Sequence, residues 1–157
     1  MLAELDTDNA QAYQANAEAY IAKLSALDAE YRAVTDAASV DTLVFADRFP
    51  FRYMMLDYGL TYYAAFQGCS AETEAGFVTI ISLANRLNQL GLNVVMVTES
   101  SDQAIARTVI ESTNKKNQKI LVLDSMKSVT AADARDGVTY FSIMESNLEV
   151  LREALGS

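Results

Sequence analysis

The chain alternates between helical apolar spacing and short, nearly continuous apolar runs. Residues 8–34 carry apolar or aromatic side chains three, four or seven positions apart, which is the spacing of one helix face. Four later runs are apolar without alternation, a pattern typical of strands buried on both faces of a parallel sheet. These runs are residues 42–46, 62–66, 94–97 and 120–123.

Segments with helical spacing separate the apolar runs and follow the last one. They are residues 50–58, 73–90, 102–113 and 138–155. Strands that alternate with helices through short links favour right-handed crossovers and a parallel sheet. The sequence therefore predicts an α/β fold, a four-stranded parallel sheet flanked by helices and preceded by one long helix. We divide the chain into the long linking helix, 1–38, and an α/β lobe, 39–157.

Composition narrows the possible functions. The 157 residues suit one core, and a formal net charge of -9 gives no electrostatic reason to bind nucleic acid. The chain contains no histidine, which excludes a Ser-His-Asp triad and every histidine metal ligand within it. Its one cysteine, Cys69, cannot form an internal disulfide, and no Gly-x-Gly phosphate loop follows any predicted strand.

Acidic residues follow three of the four predicted strands. Asp47 and Asp124 come directly after the first and fourth runs, and Glu99 follows the third run after Thr98. Ligands of parallel α/β sheets bind outside the carboxyl ends of the strands, and carboxylates that converge there suit a divalent cation. The same residues are also ordinary helix caps, and Asp47 could pair with Arg48. Both interpretations remain open at this point.

Several motifs, in one order and spacing, resemble a known family. They are residues 9–17, 47–53, 57–60, 68–74, 97–101, 122–125 and 140–148. The second of these reads Asp47-Arg48-Phe49-Pro50-Phe51-Arg52-Tyr53. Together they resemble the C-terminal lobe and interlobe helix of the zinc/manganese-type (cluster A-I) solute-binding proteins of ABC importers.

The resemblance implies a divided metal site. The family has two lobes joined by a long helix, with metal held in the cleft, and the N-terminal lobe usually supplies two histidines. The C-terminal lobe supplies an aspartate after its last strand, which Asp124 matches, and one ligand after its first strand. Counting back from Tyr58 puts Arg48 in that slot, so either Asp47 takes the role through a one-residue shift or this ligand is lacking. Glu99 or Glu72 would hold the ligands in place or supply local charge.

The resemblance also implies a function. The chain would be a non-enzymatic substrate-binding component that captures Zn²⁺ or Mn²⁺ and hands it to an ABC permease. The full-length parent would be extracytoplasmic, as a membrane-anchored lipoprotein or a periplasmic protein, although this chain begins without a signal-peptide pattern. We expect weak or absent metal binding by the isolated lobe, and self-association through the bare apolar face of the long helix.

Two alternatives remain. The edge formed by Asp47, Glu99 and Asp124 also suits a magnesium-dependent, phosphatase-like hydrolase, although a lysine or glycine-rich phosphate clamp is missing. The chain could also be a structural lobe that binds no metal.

Overall fold

Within residues 2–67 and 75–156, which this computed structural model describes, four parallel strands form one sheet in the order β2-β1-β3-β4. The strands are β1 Thr42–Phe49, β2 Thr61–Gln67, β3 Val94–Thr98 and β4 Lys119–Leu123. The predicted fold class is therefore confirmed, and the non-consecutive neighbours β1 and β3 bring the carboxyl ends of β1, β3 and β4 side by side.

Helices precede the sheet and cover it. They are α1 Leu2–Leu5, α2 Ala10–Asp36, α3 Arg52–Asp57, α4 Phe77–Leu90, α5 Ala104–Glu111, α6 Ala131–Arg135 and α7 Tyr140–Leu155. The long helix begins two residues later than predicted because residues 7–9 form a 3-10 turn. Residues 75 and 76 are not helical, so α4 also begins later than the predicted position 73, which lies outside the described residues. It ends as predicted at Gly91, whose φ of 66° is a left-handed conformation that glycine adopts without steric cost.

The sheet is buried on both faces at its centre. Val44 contributes to the core beneath α4 and α5, whereas its neighbour Phe45 contributes to the core beneath α2, α3 and α7. This two-sided burial explains why the central strands carry apolar side chains without alternation. The same prediction is wrong for β4, where Val122 is 39% exposed. Strand β4 lies at the edge of the sheet and pairs with β3.

The long helix α2 is anchored at one end. Leu27, Tyr31 and Val34 are buried in the core, and the hydroxyl of Tyr31 donates a 2.6 Å hydrogen bond to the carbonyl of Met144 on α7. Residues 14–23 are all exposed, including Tyr20 at 43% and Ile21 at 60%. The N-terminal half of α2 therefore extends away from the sheet, as expected for a helix longer than the sheet requires.

Among the described helices, none combines the length and the apolar character that a membrane crossing requires.

Candidate functional site

The three predicted site carboxylates lie in order along the carboxyl edge of the sheet. Asp47 is on β1, Glu99 follows β3 and Asp124 follows β4. Each of the first two is hydrogen-bonded to a chain neighbour of the next: Asp47 to Thr98, which precedes Glu99, and Glu99 to Ser125, which follows Asp124. The structure thus brings all three to one edge. Within the described ranges, however, no three acidic or cysteine side chains are grouped closely enough to hold a metal ion.

Asp47 is engaged in holding β1 to β3. The prediction that the first strand ends before Asp47 is wrong, because β1 continues to Phe49 through an irregularity between Phe45 and Arg48. There the Oδ2 atom of Asp47 accepts hydrogen bonds from Thr98 N at 3.0 Å and Thr98 Oγ1 at 2.6 Å. Its Oδ1 atom accepts a third from Arg48 N at 2.7 Å. Where β1 is irregular, the side chain of Asp47 thus accepts a hydrogen bond from the backbone of β3.

Glu99 holds the loop that follows β4. Its Oε2 atom accepts a 2.8 Å hydrogen bond from Ser125 N, and its Oε1 atom accepts from Ser125 Oγ at 2.9 Å and Ser128 Oγ at 3.1 Å. Partial burial raises the pKa of Glu99, but these hydrogen bonds, with that from Ser125 N the largest, outweigh burial and leave the pKa below its usual value. Glu99 is therefore a carboxylate that stabilises the segment next to Asp124.

Asp124 is held differently, through its backbone. Its N–H donates to Asn147 Oδ1 at 2.8 Å, and its carbonyl accepts from Asn147 Nδ2 at 2.8 Å. The Oδ1 atom accepts a 2.7 Å hydrogen bond from Met126 N. Oδ2 has no hydrogen-bond partner among the residues that the structure describes. Asp124 thus offers one carboxylate oxygen that can bind a ligand without breaking a contact to any described residue.

Arg48 is exposed beside an open depression on the Asp47 side of the edge. The depression has a volume of about 270 Å³, and its lining includes Arg48, Asp47 and Asp102. Its walls also include the apolar side chains of Phe66 and Ile105, whereas Asp124 is not part of it. A guanidinium cannot coordinate a cation, so Arg48 makes this end of the edge less suitable for metal.

Two residues considered from the sequence, Glu72 and Cys69, lie outside the described residues. No role for Asn147 was predicted from the sequence, and its side chain is hydrogen-bonded directly to Asp124. A signal for it was present: Asn147 lies four residues from both Ile143 and Leu151, on the apolar face of α7, where an amide is unusual.

The chain matches the family described as zinc-uptake complex component A, periplasmic (ZnuA), over residues 1–154. It is 31% identical over 146 residues to the zinc-binding lipoprotein AdcA of Streptococcus pneumoniae, a match that covers 93% of this chain and 28% of AdcA. It is 26% identical over 150 residues to the high-affinity zinc uptake system protein ZnuA of Bacillus subtilis, covering 96% of this chain and 46% of that protein.

Solved structures agree. The metal-dependent lipoprotein YcdH from Bacillus subtilis superposes with a TM-score of 0.79 at 25% identity, covering 98% of this chain and 56% of that one. The Zn(II)-bound ZnuA-like domain of Streptococcus pneumoniae AdcA gives a TM-score of 0.75 at 28% identity, covering 99% and 57%. The chain therefore spans less than two thirds of each of these relatives. On the match over residues 1–154, this chain belongs to the ZnuA family of zinc-uptake components.

Proposed function

We propose that this chain is the C-terminal α/β lobe, 39–157, and the linking helix, 1–38, of a receptor that binds zinc for an ABC importer. The observation that carries the proposal is Asp124, whose backbone is clamped at the carboxyl end of β4 while Oδ2 is left without a partner in the described chain. Membership of the ZnuA family supports zinc as the cargo.

The proposal assigns different roles to the three acidic residues. Asp124 binds the metal directly, and Glu99 stabilises the loop beside it through Ser125 and Ser128. Asp47 remains a candidate ligand through Oδ1, which accepts a single hydrogen bond from Arg48 N, whereas Oδ2 could bind zinc only by displacing a hydrogen bond from Thr98. Zinc in proteins usually takes four ligands, so we propose that the remaining ones come from a second lobe that closes over this edge.

Calorimetric titration of the chain with Zn²⁺ tests this proposal. Because the chain supplies so few ligands, we expect weak binding that the substitution Asp124→Asn removes, and still weaker binding of Mn²⁺, which nitrogen, oxygen and sulfur ligands generally hold less tightly than Zn²⁺. Submicromolar zinc affinity in the isolated chain, or binding that is unchanged in Asp124→Asn, would contradict it.

We further propose that the role is transport rather than catalysis. A phosphatase-like hydrolase would need Asp47 as a nucleophile or metal bridge, and the hydrogen bonds that its carboxylate accepts from Thr98 and Arg48 N make it a weaker nucleophile. We expect no hydrolysis of a generic phosphate ester with Mg²⁺ present. Turnover that Asp47→Asn abolishes would overturn this. A lobe that binds no metal would instead leave metal uptake by the full-length protein unchanged in Asp124→Ala.

The proposed partners and location follow from the same role. A receptor of this kind works outside the cytoplasm, as a lipoprotein or a periplasmic protein, and delivers its metal to a permease. In the isolated chain, we propose that the exposed half of α2, with Tyr20 and Ile21, contacts a second copy. Light scattering should show a dimer whose population increases with concentration, and a clean monomer at high concentration would contradict this.

A further inference from the structure

Asn147 is a buried amide on the apolar face of α7. It is 2% exposed, and its helical neighbours Ile143, Leu148 and Leu151 are buried in the core. Burying an amide is unfavourable unless its donors and acceptors are satisfied. The side chain of Asn147 satisfies them on a single residue, Asp124.

The two hydrogen bonds grip the backbone of Asp124 from both sides. Asn147 Oδ1 accepts from the N–H of Asp124 and Asn147 Nδ2 donates to its carbonyl, both at 2.8 Å. Asp124 lies just after the last residue of β4, and Asn147 gives both of its peptide groups a hydrogen-bond partner there. Fixing both peptide groups around one Cα atom fixes the direction in which its side chain leaves the backbone.

The side chain of Asp124 is restrained as well, by the residue two positions later. Met126 has a φ of 63°, a left-handed conformation that is uncommon for residues other than glycine. In this conformation its N–H donates to Asp124 Oδ1 at 2.7 Å. One carboxylate oxygen is therefore held by the turn, and the other, Oδ2, is left for a ligand.

We propose that Asn147 is a positioning residue for Asp124, and that its amide clamp orients the carboxylate for zinc binding. The inference rests on the proposed role of Asp124 as a zinc ligand. It differs from a purely structural role, in which Asn147 would only fasten α7 to the end of β4. Residues that orient metal ligands from outside the coordination sphere typically change affinity by about 10–100-fold when they are removed.

The test is a zinc titration of the whole chain, followed by calorimetry and by the NMR shifts of the amides of residues 124–126. We expect Asn147→Ala to weaken zinc binding by about tenfold or more. The amide shifts of residues 124–126 in zinc-free Asn147→Ala should differ from those of the wild type, because Asn147 holds the backbone of Asp124. The matched control is Leu148→Ala, which truncates an equally buried neighbour on α7 and should leave zinc affinity unchanged despite lower stability.

The outcomes separate the two proposals. If Asp124→Asn weakens binding but Asn147→Ala does not, the positioning role is wrong and the proposed function stands. If Asn147→Ala loses zinc affinity while the amide shifts of residues 124–126 stay those of the wild type, Asn147 acts elsewhere and the positioning role is again wrong. If Asp124→Asn has no effect, both fall. Should Asn147→Ala fail to fold, Asn147→Ser, whose hydroxyl can keep one of the two bonds, should show an intermediate loss, and full wild-type affinity in that variant would overturn the inference.

Discussion

Asp47 and Asp124, at the two ends of the carboxyl edge of the sheet, have similar sequence contexts but different hydrogen-bond partners in the fold. Both are aspartates that directly follow an apolar run. The carboxylate of Asp47 accepts three hydrogen bonds, two of them from Thr98 on the adjacent strand. The carboxylate of Asp124 accepts one hydrogen bond, from Met126 N. Asn147 holds the backbone of Asp124 and not its carboxylate. The two aspartates therefore differ in how much of each carboxylate is used by contacts within the fold, and Asp124 has the oxygen that is free of them in the described residues.

The largest effect should come from Asp47→Ala. This substitution removes the acceptor for the N–H and the hydroxyl of Thr98, a residue that is only 6% exposed. Leaving these donors unsatisfied should lower the free energy of unfolding by about 2–4 kcal/mol. Urea denaturation measures this loss of unfolding free energy, and thermal denaturation should show a fall in Tm of roughly 5–15 °C.

The exposed Asp36→Ala variant, at the end of α2, is the control and should unfold like the wild type. Zinc affinity of folded Asp47→Ala should be unchanged. An unaltered unfolding free energy would show that Asp47 does not hold β1 to β3.

Glu99→Gln should have a smaller and pH-dependent effect. The hydrogen bonds from Ser125 and Ser128 favour the ionised carboxylate, so at neutral pH its loss should cost roughly 1–2 kcal/mol of unfolding free energy. The pKa of Glu99 is lowered in the folded state, so this contribution is complete above the usual value of 4.5 and is lost as the pH falls through the folded-state pKa.

Denaturation of both proteins between neutral and acidic pH checks this. The stability of the wild type should approach that of Glu99→Gln as the pH falls below 4.5, whereas Glu145→Gln, an exposed change on α7, should track the wild type throughout. A difference that stays constant across this range would refute the contribution of the charged form.

The smallest effect should come from Arg48→Gln. Strands β1 and β4 are two positions apart in the sheet, which separates Arg48 from Asp124 by roughly 10 Å. Removing a positive charge at that distance from a doubly charged ion should raise zinc affinity only about fourfold at low salt, and less at higher ionic strength. Lys115→Gln, before the start of β4 at the opposite edge, is the control that should change nothing. A loss of affinity in Arg48→Gln would show that Arg48 helps to form the site.

The fold could be predicted because its signal is local. Continuous apolar runs identified the four strands, and apolar spacing identified the long helices, since both patterns follow directly from burial. The short helix α6 was missed, although Thr130 and Asp133 form a capping box that the sequence contains. Five residues are too few for a helical apolar pattern to be detected.

For the site, the sequence predicted only which edge of the sheet carries the three acidic residues. The sequence placed Asp47, Glu99 and Asp124 together, because carboxyl ends of parallel strands share an edge. It could not show that β1 is irregular near Asp47, since that depends on the register with β2 and on Thr98 across the sheet. Nor could it pair Asn147 with Asp124, 23 residues away, because nothing local links them.

The most direct test of the difference between the two aspartates is a zinc titration of the wild type, Asp124→Asn and Asp47→Asn under identical conditions. Both substitutions replace one carboxylate oxygen by an NH2 group, which keeps the shape of the side chain, and each removes one negative charge. We predict that Asp124→Asn loses zinc binding and that Asp47→Asn is less stable but binds as the wild type does. Zinc binding that survives in Asp124→Asn and disappears in Asp47→Asn would contradict the assignment of the ligand to Asp124.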